Sequence, residues 1–181
     1  VTSMQSVNVG TYSASAIPVL DLHELAAGKL VALFARQASR DIFDAHQLLT
    51  TGGLNPDRLR LAFLLYGAMN RRDWRTISLD DVNCDVLELD NKLLPVLSRS
   101  VREKLQANWT LRMIEVCREH LSGLVQFTPR ETEFLDRLLD YGEIIPNLLS
   151  DDAQMTARIL AHPLLQWKAL NVQRRRKSRQ P

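Results

Sequence analysis

Residues 21–49 read DLHELAAGKLVALFARQASRDIFDAHQLL, and this stretch decides the fold. Its apolar residues recur at helical spacing in two blocks, separated by a polar connection near residues 37–39, which predicts two short helices. Asp21 is a suitable N-cap for the first helix, and Glu24 stands at the spacing of a capping box. A mainly α fold is therefore expected around this pair of helices.

Charged side chains lie where a core face is expected. On the first helix, Lys29 and Arg36 share a stripe with leucines, and on the second helix Asp41 and Asp44 stand three residues apart on one face. Because the connection is short, we predict that Lys29 and Arg36 meet Asp41 and Asp44 in a buried cluster. Two interpretations stay open: a structural salt-bridge network, or a Lys–Asp pair that lines a site for an anionic substrate.

The same residues resemble a known family. Residues 23–44, HELAAGKLVALFARQASRDIFD, resemble the C-terminal motifs of the AbiEii/AbiGii-type nucleotidyltransferase toxins of bacterial toxin–antitoxin and abortive-infection systems. In this comparison Lys29 matches the motif lysine, Arg36 the arginine that follows it, and Asp41 and Asp44 the two acids of the last motif. Residues 148–171, LLSDDAQMTARILAHPLLQWKALN, resemble the closing segment of the family.

The resemblance implies Mg²⁺-dependent transfer of a nucleotide from a nucleoside triphosphate to an acceptor, which in some members is the 3′ end of tRNA. Lys29 would contact triphosphate oxygens, and Asp41 would orient that lysine or act as a base toward the acceptor hydroxyl. Arg36, Arg40 and Asp44 would support these two residues. The resemblance also implies an antitoxin as partner and a bacterial source. The lack of a visible secretory signal and of a disulfide pattern predicts a cytoplasmic location.

The catalytic half of the family, however, carries a Gly-Gly-(Ser/Thr) turn and an Asp-x-Asp strand, and this sequence contains neither. Gly52-Gly53 is followed by LNPDRL, in which Asn55 and Pro56 predict a helix start. We therefore expect this chain alone to be inactive and to bind neither Mg²⁺ nor nucleotide. It would be the C-terminal part of a larger enzyme, a natural truncation or a separate domain. The alternative function is a non-catalytic helical module that binds a partner protein.

The composition of the 181-residue chain, with 45% hydrophobic and 24% charged residues, is typical of a globular protein, and seven glycines favour helices over a turn-rich β fold. We predict a short extended segment over residues 1–20 and a bundle of about eight helices over residues 21–173. No apolar run is long enough to cross a membrane. The two cysteines have no metal-site spacing.

Two basic clusters are candidates for nucleic-acid contacts. Trp74 lies among Arg71, Arg72 and Arg75, which indicates either an RNA-binding cluster or a half-buried tryptophan ringed by solvated charges. Residues 174–181 are predicted to be a disordered basic tail. Without its five cations, the rest of the chain has 18 basic and 21 acidic residues. The tail is either simply solvated or binds RNA or an acidic partner through Arg174, Arg175, Arg176, Lys177 and Arg179.

Overall fold

α-Helices make up most of the protein, which confirms the predicted fold class. A computed structural model describes residues 2–103, 105 and 108–178. Within these residues there are nine α-helices, against about eight predicted. They are α1 (Leu22–Arg36), α2 (Ser39–Thr51), α3 (Pro56–Ala68), α4 (Val86–Glu88), α5 (Arg99–Arg102), α6 (Trp109–Leu121), α7 (Pro129–Asp136), α8 (Ala153–Leu160) and α9 (Pro163–Lys177). None of the described helices is both long enough and apolar enough to span a membrane.

The extended N-terminal segment is a small hairpin that pairs with itself. Strand β1 (Thr2–Met4) runs antiparallel to β2 (Ile17–Val19), with Thr2 opposite Val19. Most side chains of this hairpin are exposed. The hairpin therefore stands beside the helical core instead of contributing to it.

Helix starts follow the predicted caps. The side chain of Asp21 accepts a hydrogen bond from the backbone N–H of His23. The side chain of Asn55, which precedes Pro56, accepts one from the backbone N–H of Arg58. The predicted capping box does not form at α1, because Glu24 instead accepts the Tyr66 hydroxyl at 3.2 Å. These caps set where α1 and α3 begin and hence how the two helices face each other.

An aromatic cluster forms the centre of the core where α1, α3 and the following turn meet. Phe34, Phe63 and Trp74 are fully buried, with ring centroids 5.1–5.9 Å apart. Gly67 permits this packing, since a Cβ at that position would lie 2.0 Å from the Trp74 ring. The prediction of a half-buried Trp74 is therefore wrong: the ring fills a slot that only a glycine on α3 leaves open.

The basic residues at the end of the chain are helical where the structure describes them. α9 continues through Lys177, so residues 174–177, for which disorder was predicted, are helical in the structure, and Arg179 lies outside the described residues. The Gln173 side chain donates to the Gly142 carbonyl at 2.7 Å, and the Arg176 guanidinium lies 4.7 Å from the centroid of the Tyr141 ring. These contacts fix the last turns of α9 to the body of the protein.

Candidate functional site

The motif lysine lies at the surface of α1 in contact with an acid from α2. Lys29 Nζ donates to Asp44 Oδ2 at 2.7 Å, and the two side chains are 45% and 36% exposed. Leu22 and Leu25, in the same stripe of α1, are also more than two-fifths exposed. Lys29 is thus a cation held in a defined position on an open, partly apolar helix face.

The motif arginine forms a second pair of a different kind. Arg36 Nε and one terminal nitrogen donate to the two oxygens of Asp41 at 2.6 and 2.7 Å, a bidentate arrangement. Asp41 has no exposed area, whereas Arg36 is 50% exposed. Hydrogen bonding to Asp41 raises the pKa of Arg36, and the nearby charge of Asp44 adds to this effect. The two pairs therefore form one cluster, which we call the charge cluster (Lys29, Arg36, Asp41 and Asp44).

The predicted meeting of two cations with two acids is confirmed, but the predicted burial is not. Only the Asp41 side chain is fully buried; the side chains of both cations are about half exposed. Asp44 holds Lys29, so the role of orienting the lysine, which the resemblance gave to Asp41, lies with Asp44 in this geometry. Arg40 is exposed at the start of α2.

A family model described as "Nucleotidyl transferase AbiEii toxin, Type IV TA system" matches residues 3–138. The chain belongs to the AbiEii toxin family. The match includes the whole charge cluster on α1 and α2. Neither the curated proteins nor the solved structures contain a match to the chain.

AbiEii membership confirms the family resemblance and implies a nucleotidyltransferase toxin with an antitoxin partner. The second block of resemblance, residues 148–171, lies beyond the matched range, so that likeness stays a prediction. It falls mainly on α8 and α9, and α9 contacts the matched part of the fold where Lys168 donates to the Asn70 carbonyl.

The charge cluster does not fit a Mg²⁺ site. Nucleotidyltransferases of this family generally use Mg²⁺, which prefers several oxygen ligands in octahedral geometry. Both carboxylates of the cluster are already bound by cations, Asp41 by Arg36 and Asp44 by Lys29. Among the residues that the structure describes, no three His, Cys, Asp or Glu side chains gather in a metal-binding group. Any metal chemistry would have to come from other residues.

A histidine at the second residue of α1 is buried. His23 is 7% exposed; its Nδ1 lies 2.8 Å from Asp21 Oδ1, and its Nε2 accepts the Asn55 N–H at 2.9 Å. This relay joins the start of α1 to the start of α3, and Arg58 closes it with a bond to Asp21. The residue belongs to the scaffold that carries the charge cluster. Little in the sequence indicated this role: His23 follows the predicted N-cap Asp21, but its contact with the second N-cap, Asn55, is visible only in the fold.

The basic cluster around Trp74 is also structural. Arg72 donates to the Phe34 carbonyl and to Asp81, and Arg75 binds Asp73, Asp136 and Asp140. The hydrogen bonds that Arg75 donates to Asp73, Asp140 and Asp136 raise the pKa of its guanidinium, and the bond to Asp73 has the largest effect. Because Trp74 is buried and these two arginines are paired, this cluster offers no stacking platform for RNA.

Proposed function

We propose that this chain is the C-terminal helical part of a nucleotidyltransferase-like toxin of a toxin–antitoxin system, and that Lys29 binds the triphosphate of a nucleoside triphosphate. One observation carries the proposal: the Lys29 side chain is nearly half exposed, and its Nζ lies 2.7 Å from Asp44 Oδ2 on the helices that match the AbiEii family. An ammonium group so placed can reach an anion from solvent without moving the backbone.

The energetics of the Lys29–Asp44 pair suit reversible binding. A surface ion pair contributes about 0–1 kcal/mol, so Lys29 can exchange Asp44 for a phosphate oxygen at little cost. The ammonium group binds phosphate as a compact point charge. During transfer, the acceptor hydroxyl oxygen bonds to the α-phosphorus and releases its proton to solvent. The α–β phosphoanhydride bond breaks and pyrophosphate leaves, while a fixed cation stabilises the negative charge on the phosphates.

Asp41 and Arg36 have a positioning role in this proposal. A base must reach the proton that it removes, and Asp41 has no exposed oxygen because both are bound by Arg36. Their bidentate pair joins α1 to α2 next to the turn and so fixes the direction from which Asp44 meets Lys29. Arg40, exposed on the first turn of α2, is available to support the same anion.

We infer the metal ion, the acceptor, the partner protein and the cellular location from the family and not from the charge cluster. Mg²⁺ and the nucleoside triphosphate are proposed for the complete enzyme, and no step here passes through the metal. The acceptor that the resemblance implies is a nucleic-acid hydroxyl, such as the 3′ end of tRNA. The proposed partner is an antitoxin, and the proposed location is the bacterial cytoplasm.

Calorimetric titration of the chain with ATP, CTP, GTP and UTP in turn tests the role of Lys29. The sequence alone predicts that this chain binds no nucleotide, but the exposed and fixed Lys29 side chain changes that expectation. We expect saturable binding of at least one triphosphate, which Lys29→Ala weakens about tenfold or more through loss of a charge-assisted contact. Lys92→Ala is the matched control, because Lys92 also pairs with an acid, Glu88, at 3.0 Å but lies outside the motif helices.

Helical circular dichroism should be unchanged in both variants, which separates loss of binding from loss of fold. Absence of saturable binding in the parent chain, or equal binding by Lys29→Ala, would contradict the proposal. Either result would favour the alternative, a helical module that binds a partner protein without nucleotide chemistry.

A further inference from the structure

One face of α9 exposes an apolar stripe that leads into a basic end. Leu164, Trp167 and Leu170 are 57%, 62% and 52% exposed, and Arg174 follows them. Steps of three, three and four residues place these four side chains on one side of the helix. We call them the α9 stripe. It is not the face that packs on the body, since Leu165 and Ala169 serve that purpose and are buried.

The last two helices, α8 and α9, carry charge of a single sign within their own lengths. Residues 153–177, which span α8 and α9, contain six lysines and arginines and no aspartate or glutamate. Because these two helices contain no acids, their positive charge is not neutralised within the helices themselves. The acids of the protein lie in the rest of the chain. Such a surface is complementary to an acidic partner.

α9 is also held in place before any partner arrives. Lys168 Nζ donates to the backbone carbonyl of Asn70, and Gln173 donates to the carbonyl of Gly142. A Cβ at Gly142 would lie 2.5 Å from the Ala169 carbonyl oxygen, which shows how closely α9 approaches this turn. Because the helix is already ordered, docking onto it loses little conformational entropy.

We propose that the α9 stripe docks an amphipathic helix of another protein. Apolar side chains of that helix would cover Leu164, Trp167 and Leu170. Its acidic residues would lie about 10 Å further along, the axial distance from Trp167 to Arg174, and would pair with Arg174. The stripe includes no residue of the charge cluster, so this inference is independent of the proposed nucleotide chemistry.

The side chains of the stripe favour a protein over nucleic acid or lipid. Two of its three apolar residues are leucines, which cannot stack on bases as aromatic rings do. In a helix that lies on a membrane, cations occupy the polar face, whereas Arg174 continues the line of the apolar residues. Leucine and tryptophan side chains at helical spacing, followed by a cation on the same side, suit packing against the apolar face of a partner helix that also carries acids.

The test measures the binding of two designed helical peptides to the full chain. Both carry leucines at helical spacing; one ends in glutamates and the other in lysines at the same positions. Binding is measured by the anisotropy of a fluorescein label on each peptide. We expect the acidic peptide to bind saturably, with a blue shift of tryptophan emission as Trp167 is covered, and the basic peptide to bind much more weakly.

Variants assign the binding to the stripe. Trp167→Ala should raise the Kd for the acidic peptide about tenfold or more. Arg174→Glu should weaken the acidic peptide and strengthen the basic one, an exchange that loss of fold would not produce. Leu87→Ala is the control, because it also truncates an exposed apolar side chain, 71% exposed, but on α4. It should leave both affinities unchanged.

Equal binding of the two peptides, or an unchanged Kd in Trp167→Ala, would overturn the inference. It would also be overturned if oligouridine RNA, or vesicles of phosphatidylglycerol, bound through the same residues and displaced the acidic peptide. The first of those results would identify a nucleic-acid surface and the second a lipid surface.

Discussion

Replacing Arg36 by alanine should destabilise the protein more than replacing Asp41 by asparagine, although Arg36 is the more exposed partner. Arg36→Ala leaves a carboxylate that has no exposed area and has lost both of its arginine hydrogen bonds. Breaking a buried pair by removing one partner costs about 3–5 kcal/mol. Asp41 lies in the first turn of α2, where backbone N–H groups favour negative charge, so we take the lower end, about 3 kcal/mol.

Asp41→Asn removes the charge but keeps the volume, and the arginine that it releases is already half in water. Its cost is then about 1–2 kcal/mol, the worth of weakened hydrogen bonds. The double variant Arg36→Ala/Asp41→Asn strands no charge. It should therefore be about 1–2 kcal/mol more stable than Arg36→Ala alone, a strongly non-additive result.

Urea unfolding followed by circular dichroism measures these differences. With a slope of about 2 kcal/mol per molar urea, the midpoint should fall by roughly 1.5 M in Arg36→Ala and by roughly 0.5–1 M in Asp41→Asn. Arg99→Ala, which breaks the fully solvated pair with Glu103, is the control and should cost less than about 0.5 kcal/mol. A larger loss in Asp41→Asn than in Arg36→Ala, or additive costs in the double variant, would refute the reasoning.

Two further perturbations test the core and the acid limb of the stability curve. Gly67→Ala places a Cβ 2.0 Å from Trp74 and should cost about 1–3 kcal/mol, whereas Gly28→Ala, whose Cβ would lie 3.8 Å from its nearest neighbour, should be tolerated in the same urea assay. Hydrogen bonds from Ser39 lower the pKa of Glu88 from 4.5 to about 2, so the unfolded chain binds a proton first as the pH falls below 4.5. Stability should therefore fall between pH 4.5 and about 2. Glu88→Gln should flatten that part of the curve measured by urea midpoint; an unchanged curve would contradict the role of Glu88.

The local part of this fold can be read from the sequence. Caps at Asp21 and Asn55, with Pro56 after the second, set the starts of α1 and α3, and helical spacing brought the four members of the charge cluster together. The pairing within the cluster could also have been read. In an antiparallel helix pair, the cation nearest the turn, Arg36, must face the acid nearest the turn, Asp41.

Tertiary packing decided what the sequence could not. The burial of Trp74 depends on the gap left by Gly67 on another helix, and no periodicity within residues 70–84 reports that gap. The order of residues 174–177 depends on contacts with Tyr141 and Gly142, which a run of basic residues does not predict. Both outcomes arise from contacts between different elements of the fold.

The two pairs of the charge cluster differ in a way that assigns them different roles. Arg36 is bound at two points to an acid without exposed area, so leaving Asp41 would strand a buried charge at a cost of about 3 kcal/mol or more. Lys29 has one contact with an acid that water already reaches, and exchanging it costs about 1 kcal/mol or less. We therefore expect an incoming anion to compete for the lysine and not for the arginine. In the proposed function, the same motif would hold two helices together and offer one cation to a ligand.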